Sequence, residues 1–450
     1  MVTHSVQPQP RRAWLGGAGY AAVLLAPLLI IALPPHPPST TFWRELSVAL
    51  GFAGMAIMGA QFIPTARLPV LRDVYPSDTL YKHHRQIAQV GFLFALAHPV
   101  ILFISTPSML ELLNPVTAPW RARAAVAGVV VLLVLVGTSI WRTALKLSYP
   151  VWRTLHVVLT AAVAVLFLWH MFGVNRYLAH PVMRAYWIAM AVCWLIAVLY
   201  ARVIRPLLIA RRPYVVAEVR PERGNTWTLS LRPQGHPGLR FMAGQFAWIS
   251  VDKSPFTLSD NPFSFSSSSE RVGQVEFAIS DNGDFSSQVK HLEPGTEVLL
   301  DGPFGTFDLD QHAGDPERPA AGYVFIAGGS GVVPIMSILR TMHDRNDQTP
   351  SVLFHASDSR EAATFREEID TLDDRLMLTV VPVVADPEPD YDGETGHVTK
   401  NVLERHLPEP LEGAQYFVCG PPVMIDAVWD ALDSLGVPRA AIHTEHYVMA

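Results

Sequence analysis

The chain has 450 residues, 50% of them hydrophobic and only 16% charged, with a formal net charge of −6 at pH 7. Ordinary globular chains carry about 25% charged residues, so a wholly soluble fold is excluded, and an acidic balance without a basic stripe gives no sign of a nucleic-acid partner. Two cysteines, Cys193 and Cys419, are too few for a disulfide framework or for an iron–sulfur cluster, which takes about four ligands.

The apolar excess is concentrated before about residue 210. Six blocks there, 13–33, 42–63, 84–105, 122–141, 151–172 and 184–205, have the roughly 20 apolar residues needed to cross a bilayer. Between them, Arg11, Arg12, Arg67, Arg72, Lys82, Arg85, Arg142, Lys146, Arg153, Arg202, Arg205, Arg211 and Arg212 fall on one side. Only Arg44, Arg121, Arg123, Arg176 and Arg184 fall on the other. The positive-inside rule then puts both termini and the polar half in the cytoplasm, at the cell membrane. The first block reads as a span rather than a signal peptide: its apolar core exceeds the usual ~7–15 residues, and no clean cleavage site follows.

The third block carries "HHRQIAQVGFLFALAH", with His84 and His98 separated by 14 positions. On a helix that spacing keeps both within about 40° of one face and about 21 Å apart along the axis, whereas His83 is turned away from His98. The fifth block, "VWRTLHVVLTAAVAVLFLWHMF", repeats the spacing with His156 and His170. Two odd-numbered spans run in the same sense, so His84 meets His156 at one level and His98 meets His170 at the other. Each level offers two axial nitrogens to an iron in a porphyrin plane, which gives two b-type haems. A single intramembrane imidazole reads equally well as a helix–helix hydrogen bond. Four at matched spacing do not, because ionisable groups there are costly. Zinc or copper fits poorly, since no thiolate or carboxylate accompanies the imidazoles. His36 and His180 have no matched partner and read as solvated loop residues. Phe92, Phe94, Phe167 and Trp169 read as packing between or beside the two levels.

From Tyr214 the pattern changes to short alternating strands such as "YVVAEVRPE", "TWTLSLRP" and "QVEFAISD", the signature of an antiparallel β-barrel. The stretch "YVFIAGGSGVVPIMSILRTM" then opens an α/β doubly wound sheet. There Gly328, Gly329 and Gly331 let backbone N–H groups approach phosphate at a helix N-terminus. "VCGPPVMIDAV" sits at the C-terminal end of a later strand, the edge where open α/β sheets bind ligands. The expected organisation is a multidomain chain: a six-helix transmembrane haem bundle over 1–210, an FAD-binding β-barrel over 211–318 and a nucleotide-binding α/β domain over 319–450.

Taken together, these motifs resemble the ferric reductase/NADPH oxidase superfamily from the third helix to the C-terminus. Asn261-Pro262-Phe263-Ser264 stands where that family has Arg or His, then Pro-Tyr/Phe-Ser/Thr. The resemblance implies flavin stacking by Phe263 and a hydrogen bond from Ser264 to the flavin N5 region. Asn261 departs from the pattern and removes the usual counter-charge to the flavin phosphates. "GDFS" implies pyrophosphate contact at Gly283 and Ser286, assisted by Ser287. "GGSGVVP", which includes Ser330, and Cys419-Gly420-Pro421 imply the nicotinamide nucleotide, with Cys419 near the nicotinamide. Tyr447, in the terminal "HTEHYVMA", is the implied cover for the isoalloxazine ring. Asp358 suits a ribose 2′-OH and Arg360 a 2′-phosphate, and NADPH is slightly favoured over NADH. The implied catalytic set is Ser264, Cys419 and Tyr447. The implied activity moves electrons from NAD(P)H through FAD and two haems across the bilayer to oxygen or a ferric chelate, with a quinone or a periplasmic partner protein as a third acceptor class, and no obligatory protein partner. The rival expectation is a transporter or sensor with a nucleotide-binding module and histidine relays.

Overall fold

The structure is a computed structural model that describes residues 10–34, 37–38, 40–68, 77–257, 261–271, 273–315, 318–389, 391–407 and 413–445. The chain divides into two compact units. One comprises Pro10–Leu71 with Thr79–Arg205, and the other includes Pro206–Ala450.

The first unit is helical: α1 (Pro10–Ile31), α2 (Phe42–Ala60), α3 (Ser77–Ser105), α4 (Trp120–Ile140), α5 (Tyr149–Val174) and α6 (Pro181–Leu199). Long apolar runs without charge have one way to satisfy their backbone inside a bilayer, which is to hydrogen-bond it within a helix. Pro150 and Pro181 sit in the first turns of α5 and α6, where a missing N–H costs nothing. Among the described residues, five segments are long and apolar enough to cross a membrane: Phe42–Thr65, Leu80–Ser105, Trp120–Ile140, Tyr149–Val174 and Pro181–Ala210. The first expected span falls on α1, within which Gly16–Ile31 is a shorter apolar stretch among the described residues. Phe52 and Met55 of α2 pack with Trp187 and Trp194 of α6, while Ala95, Leu132, Leu135 and Val163 join α3, α4 and α5. Large side chains such as Ile104, Leu195 and Val165 point outward, a surface suited to contact with lipid.

Among its described residues the second unit holds two six-stranded sheets and a short antiparallel pair, Gly314–Asp315 with Arg318–Pro319. The first contains β1 (Tyr214–Glu222), β2 (Thr226–Pro233), β3 (Phe246–Val251), β4 (Asn261–Ser264), β5 (Val275–Ser280) and β6 (Glu297–Phe304). Its strands run in the order β4-β3-β6-β1-β2-β5 and every pairing is antiparallel. An isolated bridge between Phe265 and Phe277 joins the two ends of that order. Alternate residues, among them Leu229, Leu231, Ile249, Phe265 and Val298, fill its interior.

The second sheet contains β7 (Gly322–Gly328), β8 (Ser351–Ser357), β9 (Leu378–Val384), β10 (Glu394–Thr395), β11 (Ala414–Cys419) and β12 (Ile442–Glu445). It is parallel throughout, in the order β10-β9-β8-β7-β11-β12. Helices α7 (Val332–Arg345) and α8 (Arg366–Asp373) cover the face bearing Phe325, Leu353 and Phe417. Helices α9 (Lys400–His406) and α10 (Pro422–Ser434) cover the face bearing Val324, Phe354 and Val418. Coverage on both faces explains why β7 is apolar at every position rather than alternating. The strand order reverses between β7 and β11, the switch point at which open α/β sheets bind ligands.

Polar contacts join the two sheets. Ser337 Oγ of α7 donates to Ser267 O at 2.7 Å, Arg340 Nη1 donates to Ser266 O at 2.8 Å, and Ser269 N donates to Thr341 Oγ1 at 3.0 Å. The buried serines of "NPFSFSSSSE" thus form the strip on which α7 docks.

Candidate functional site

α3 and α5 each present two imidazoles to the other. The ring centroids of His84 and His156 lie 6.2 Å apart with planes at 71°, and those of His98 and His170 lie 6.4 Å apart at 54°. His83 does not join them; its Nε2 is 3.5 Å from the Tyr20 hydroxyl of α1.

Neighbouring groups set the tautomers. Ser47 Oγ donates to His98 O, so His98 Nδ1–H donates to Ser47 O at 2.9 Å. His170 Nδ1–H donates to Arg121 O at 3.0 Å. Ser139 Oγ donates to Leu135 O at 2.7 Å and accepts from His156 Nδ1–H at 3.2 Å. Three imidazoles therefore keep a bare Nε2, as metal-ligating histidines do when the other ring nitrogen is tied to a carbonyl or hydroxyl. Gly51 lets α2 approach this closely, because a Cβ there would lie 3.1 Å from the His98 ring.

The fit to a haem can be tested on this geometry. Two nitrogen–metal bonds of about 2 Å each, plus the distance from each ring centre to its Nε2, account for the observed centroid separations. Among the described residues no group of three or more His, Cys, Asp or Glu side chains is placed to hold a metal. Each pair supplies two ligands, too few for a four-coordinate zinc site and the number a porphyrin iron takes along its axis. The residues fit.

Phe92 and Phe167 are partly buried and pack with the Ala95, Leu132 and Val163 cluster, while Phe94 is half-buried. Trp169 is 55% exposed and lies against Trp120, so it faces away from the helical core. His180 caps α6 by accepting from Val182 N at 3.3 Å. His36 and Tyr447 lie outside the described residues.

In the first sheet, Asn261, Pro262 and Phe263 are partly exposed on β4 and Ser264 is buried. Phe263 stacks on Phe285 at 5.6 Å and 27°. Ser286 Oγ accepts from Gly283 N at 2.8 Å and Asn282 N at 3.0 Å and donates to Gly283 O. Ser287 Oγ donates to Asp284 O. These hydroxyls shape the turn and leave Gly283 exposed.

In the second sheet, the Gly329–Gly331 turn links β7 to α7, with Gly329 and Ser330 exposed. Gly331 abuts β11 so closely that a Cβ would lie 2.0 Å from Cys419 O. The Gly328–Gly331 loop and Cys419-Gly420-Pro421 are therefore one surface at the switch point. The Cys419 thiol is buried and donates to Glu445 O at 3.8 Å. Asp358 and Arg360 are exposed just beyond β8, with the Arg360 guanidinium 6.0 Å from the Tyr391 ring centroid.

Buried ionisable groups gather between the sheets. His312 and His443 stack at 3.6 Å and 19°. Burial, aided by His312, pushes His443 down to about 3. Burial also lowers His312 and raises the Asp308 carboxyl to about 7.

Sequence reasoning missed Ser47, Ser139 and the Arg121 carbonyl, which orient the imidazoles. Ser47 leaves a signal, as a fully buried hydroxyl in an apolar helix; a backbone carbonyl leaves none. It also missed Ser266, whose Oγ is buried without a hydrogen-bond partner and which lies two positions from Ser264 along the chain.

The family model "Ferric reductase like transmembrane component" matches residues 50–168, and "Oxidoreductase NAD-binding domain" matches residues 325–430. The chain is 28% identical to the propane 2-monooxygenase reductase component of Rhodococcus jostii over 247 residues, 52% of this chain and 62% of that protein. It is 26% identical to the NADH-cytochrome b5 reductase 2 of Scheffersomyces stipitis over 172 residues, 37% of this chain and 56% of that protein. The chain thus spans less than two thirds of these curated relatives. The FAD/NAD-binding domain of nitric oxide dioxygenase from Vibrio cholerae aligns with a TM-score of 0.45 at 26% identity, over 52% of this chain and 97% of that one.

Proposed function

From a chain that pairs a ferric-reductase-like transmembrane component with an oxidoreductase NAD-binding domain, the combination found in the ferric reductase/NADPH oxidase-like superfamily, we propose a membrane oxidoreductase that moves electrons from NAD(P)H, by way of FAD and two b-type haems, to a small acceptor across the bilayer. The observation that carries this reading is the two facing imidazole pairs at 6.2 Å and 6.4 Å. When bound, FAD converts a two-electron hydride into single electrons, and haem iron carries them singly.

The chain's own residues have separate tasks. The Gly328–Gly331 turn and the α7 N-terminus hold the nucleotide phosphates with backbone N–H groups. Cys419 lines the nicotinamide end, and Asp358 and Arg360 meet the adenosine ribose, with NADPH favoured by the arginine. Phe263, Ser264 and Gly283 receive the flavin, and the cover of its ring is assigned to Tyr447, outside the described residues, on the family resemblance alone. Ser47 O, Arg121 O and Ser139 Oγ keep three imidazoles in the ligating tautomer. The loop charges support a polar unit on the cytoplasmic side of the cell membrane. Oxygen, giving superoxide, or a ferric chelate is then reduced on the outer side.

Absorption spectra of the purified protein before and after anaerobic NADPH addition test this reading. Reduced b-type bands together with flavin bleaching are expected. A colourless protein would overturn it and favour a transporter with a nucleotide-sensing module. Cytochrome c reduction with and without superoxide dismutase, set against ferric-citrate reduction, then identifies the acceptor.

A further inference from the structure

The two imidazole pairs have different surroundings. Beside His98 and His170 the ring nitrogens are tied to backbone carbonyls. Beside His84 and His156 several polar groups have no partner among the described residues. His84 Nδ1 and Trp152 Nε1 are both buried without a hydrogen-bond partner there. The Arg142 guanidinium has no ionic or hydrogen-bonded partner among the described residues. It lies over two aromatic rings instead, 5.7 Å from the Tyr149 centroid and 5.6 Å from that of Trp152. Trp152 is one turn from His156 on α5, with ring centroids 5.3 Å apart.

We propose that Arg142 and the Trp152 indole N–H form an anion cradle beside the His84–His156 pair, and that it takes a carboxylate on the rim of the porphyrin held there. This rests on the haem reading above. A buried indole N–H without an acceptor is costly unless a ligand supplies one. A guanidinium stacked on aromatic faces keeps its edge donors available, and those donors match a carboxylate bidentately. Arg, Trp and Tyr also gather at membrane surfaces to meet lipid headgroups. Against that reading, Trp152 Nε1 is sealed from the surface and its ring lies against a candidate iron ligand.

The test uses full-length protein in nanodiscs, with anaerobic spectroelectrochemical titration of Arg142→Gln, Arg142→Lys and Trp152→Phe. A cation near an iron favours its reduced state. Arg142→Gln should therefore lower the midpoint of one haem by about a tenfold change in its reduction equilibrium, about 59 mV for one electron, and leave the other haem in place. Arg142→Lys should retain most of the wild-type midpoint, and Trp152→Phe should shift the same haem by less. Unchanged midpoints in both Arg142→Gln and Trp152→Phe would overturn the proposal. So would a shift seen only in phosphatidylglycerol discs and absent from phosphatidylcholine discs, since that would assign Arg142 to a lipid phosphate. A wild-type protein without haem would defeat the underlying reading instead.

Discussion

In the helical unit, each supported imidazole is steadied by a residue distant in sequence: His98 by Ser47, His170 by the Arg121 carbonyl and His156 by Ser139. In the two-sheet unit the candidate turns are steadied by their own next neighbours, as Ser286 closes on Gly283 and Ser287 on Asp284. The difference follows from the environment. An imidazole on a bilayer helix reaches no acceptor on its own helix, so its orienting contact comes from another helix, through a hydroxyl or the second lone pair of a carbonyl. A turn in water can be closed by a serine three residues away. Damage to the first kind of site should therefore travel between helices, and damage to the second should stay local.

The largest expected effects separate the two units. His84→Ala should remove one of the two proposed haems while NADPH still reduces the flavin, and replacing His83, which faces Tyr20, with Ala should remove none. Gly331→Ala should do the reverse: its Cβ would lie 2.0 Å from Cys419 O, and misplacing a reactant by about 1 Å costs about a hundredfold in rate. Flavin reduction by stopped flow, together with haem content per polypeptide, checks both. A Gly331→Ala protein that lost haem but kept flavin reduction would break the comparison.

How much was legible in the sequence follows the same division. The 14-residue histidine spacing was readable because helical period is a local property. The glycine turn and the parallel sheet were readable because both faces of β7 had to be apolar. Ser47 and Ser139 were not, since the register between two helices is written in neither one. The serine run at 266–268 was given no role beside the motif at 261–264, because its contacts with Ser337 and Arg340 arise from tertiary docking. The first span falls on the 22-residue α1, within which Gly16–Ile31 is the apolar stretch found among the described residues.

A smaller effect concerns pH, which should act on the sheets. His443 is held at about 3, below its usual value of about 6.5. Its contribution is present in full above pH 6.5 and is lost as pH falls toward 3, by about 2 kcal/mol at pH 5. Asp308 has the opposite sign. Its carboxyl at about 7 favours the protonated form, so it penalises the fold increasingly as pH rises from about 4 to 7. Urea unfolding between pH 5 and 8, followed by flavin fluorescence, should show His443→Gln flattening the acid limb and Asp308→Asn gaining on wild type toward pH 8. The haem spectrum should persist at pH values where flavin is already released; simultaneous loss of both would contradict separate support.

The smallest effects should come from the two serines, and their order is informative. Ser139 Oγ is the only described acceptor for His156 Nδ1, so Ser139→Ala leaves that imidazole free to turn or change tautomer. Orienting partners of this kind are worth about 10–100-fold in metal affinity, and the haem served by His156 should bind more weakly by that order. Ser47→Ala removes a hydroxyl 3.0 Å from His98 Nδ1 but leaves the Ser47 carbonyl at 2.9 Å, so the haem served by His98 should be retained with a nearly unchanged midpoint. Haem retention after dilution, with midpoints by titration, ranks the two variants. If Ser47→Ala proved the more damaging, the hydroxyl rather than the backbone carbonyl would be the group that orients His98.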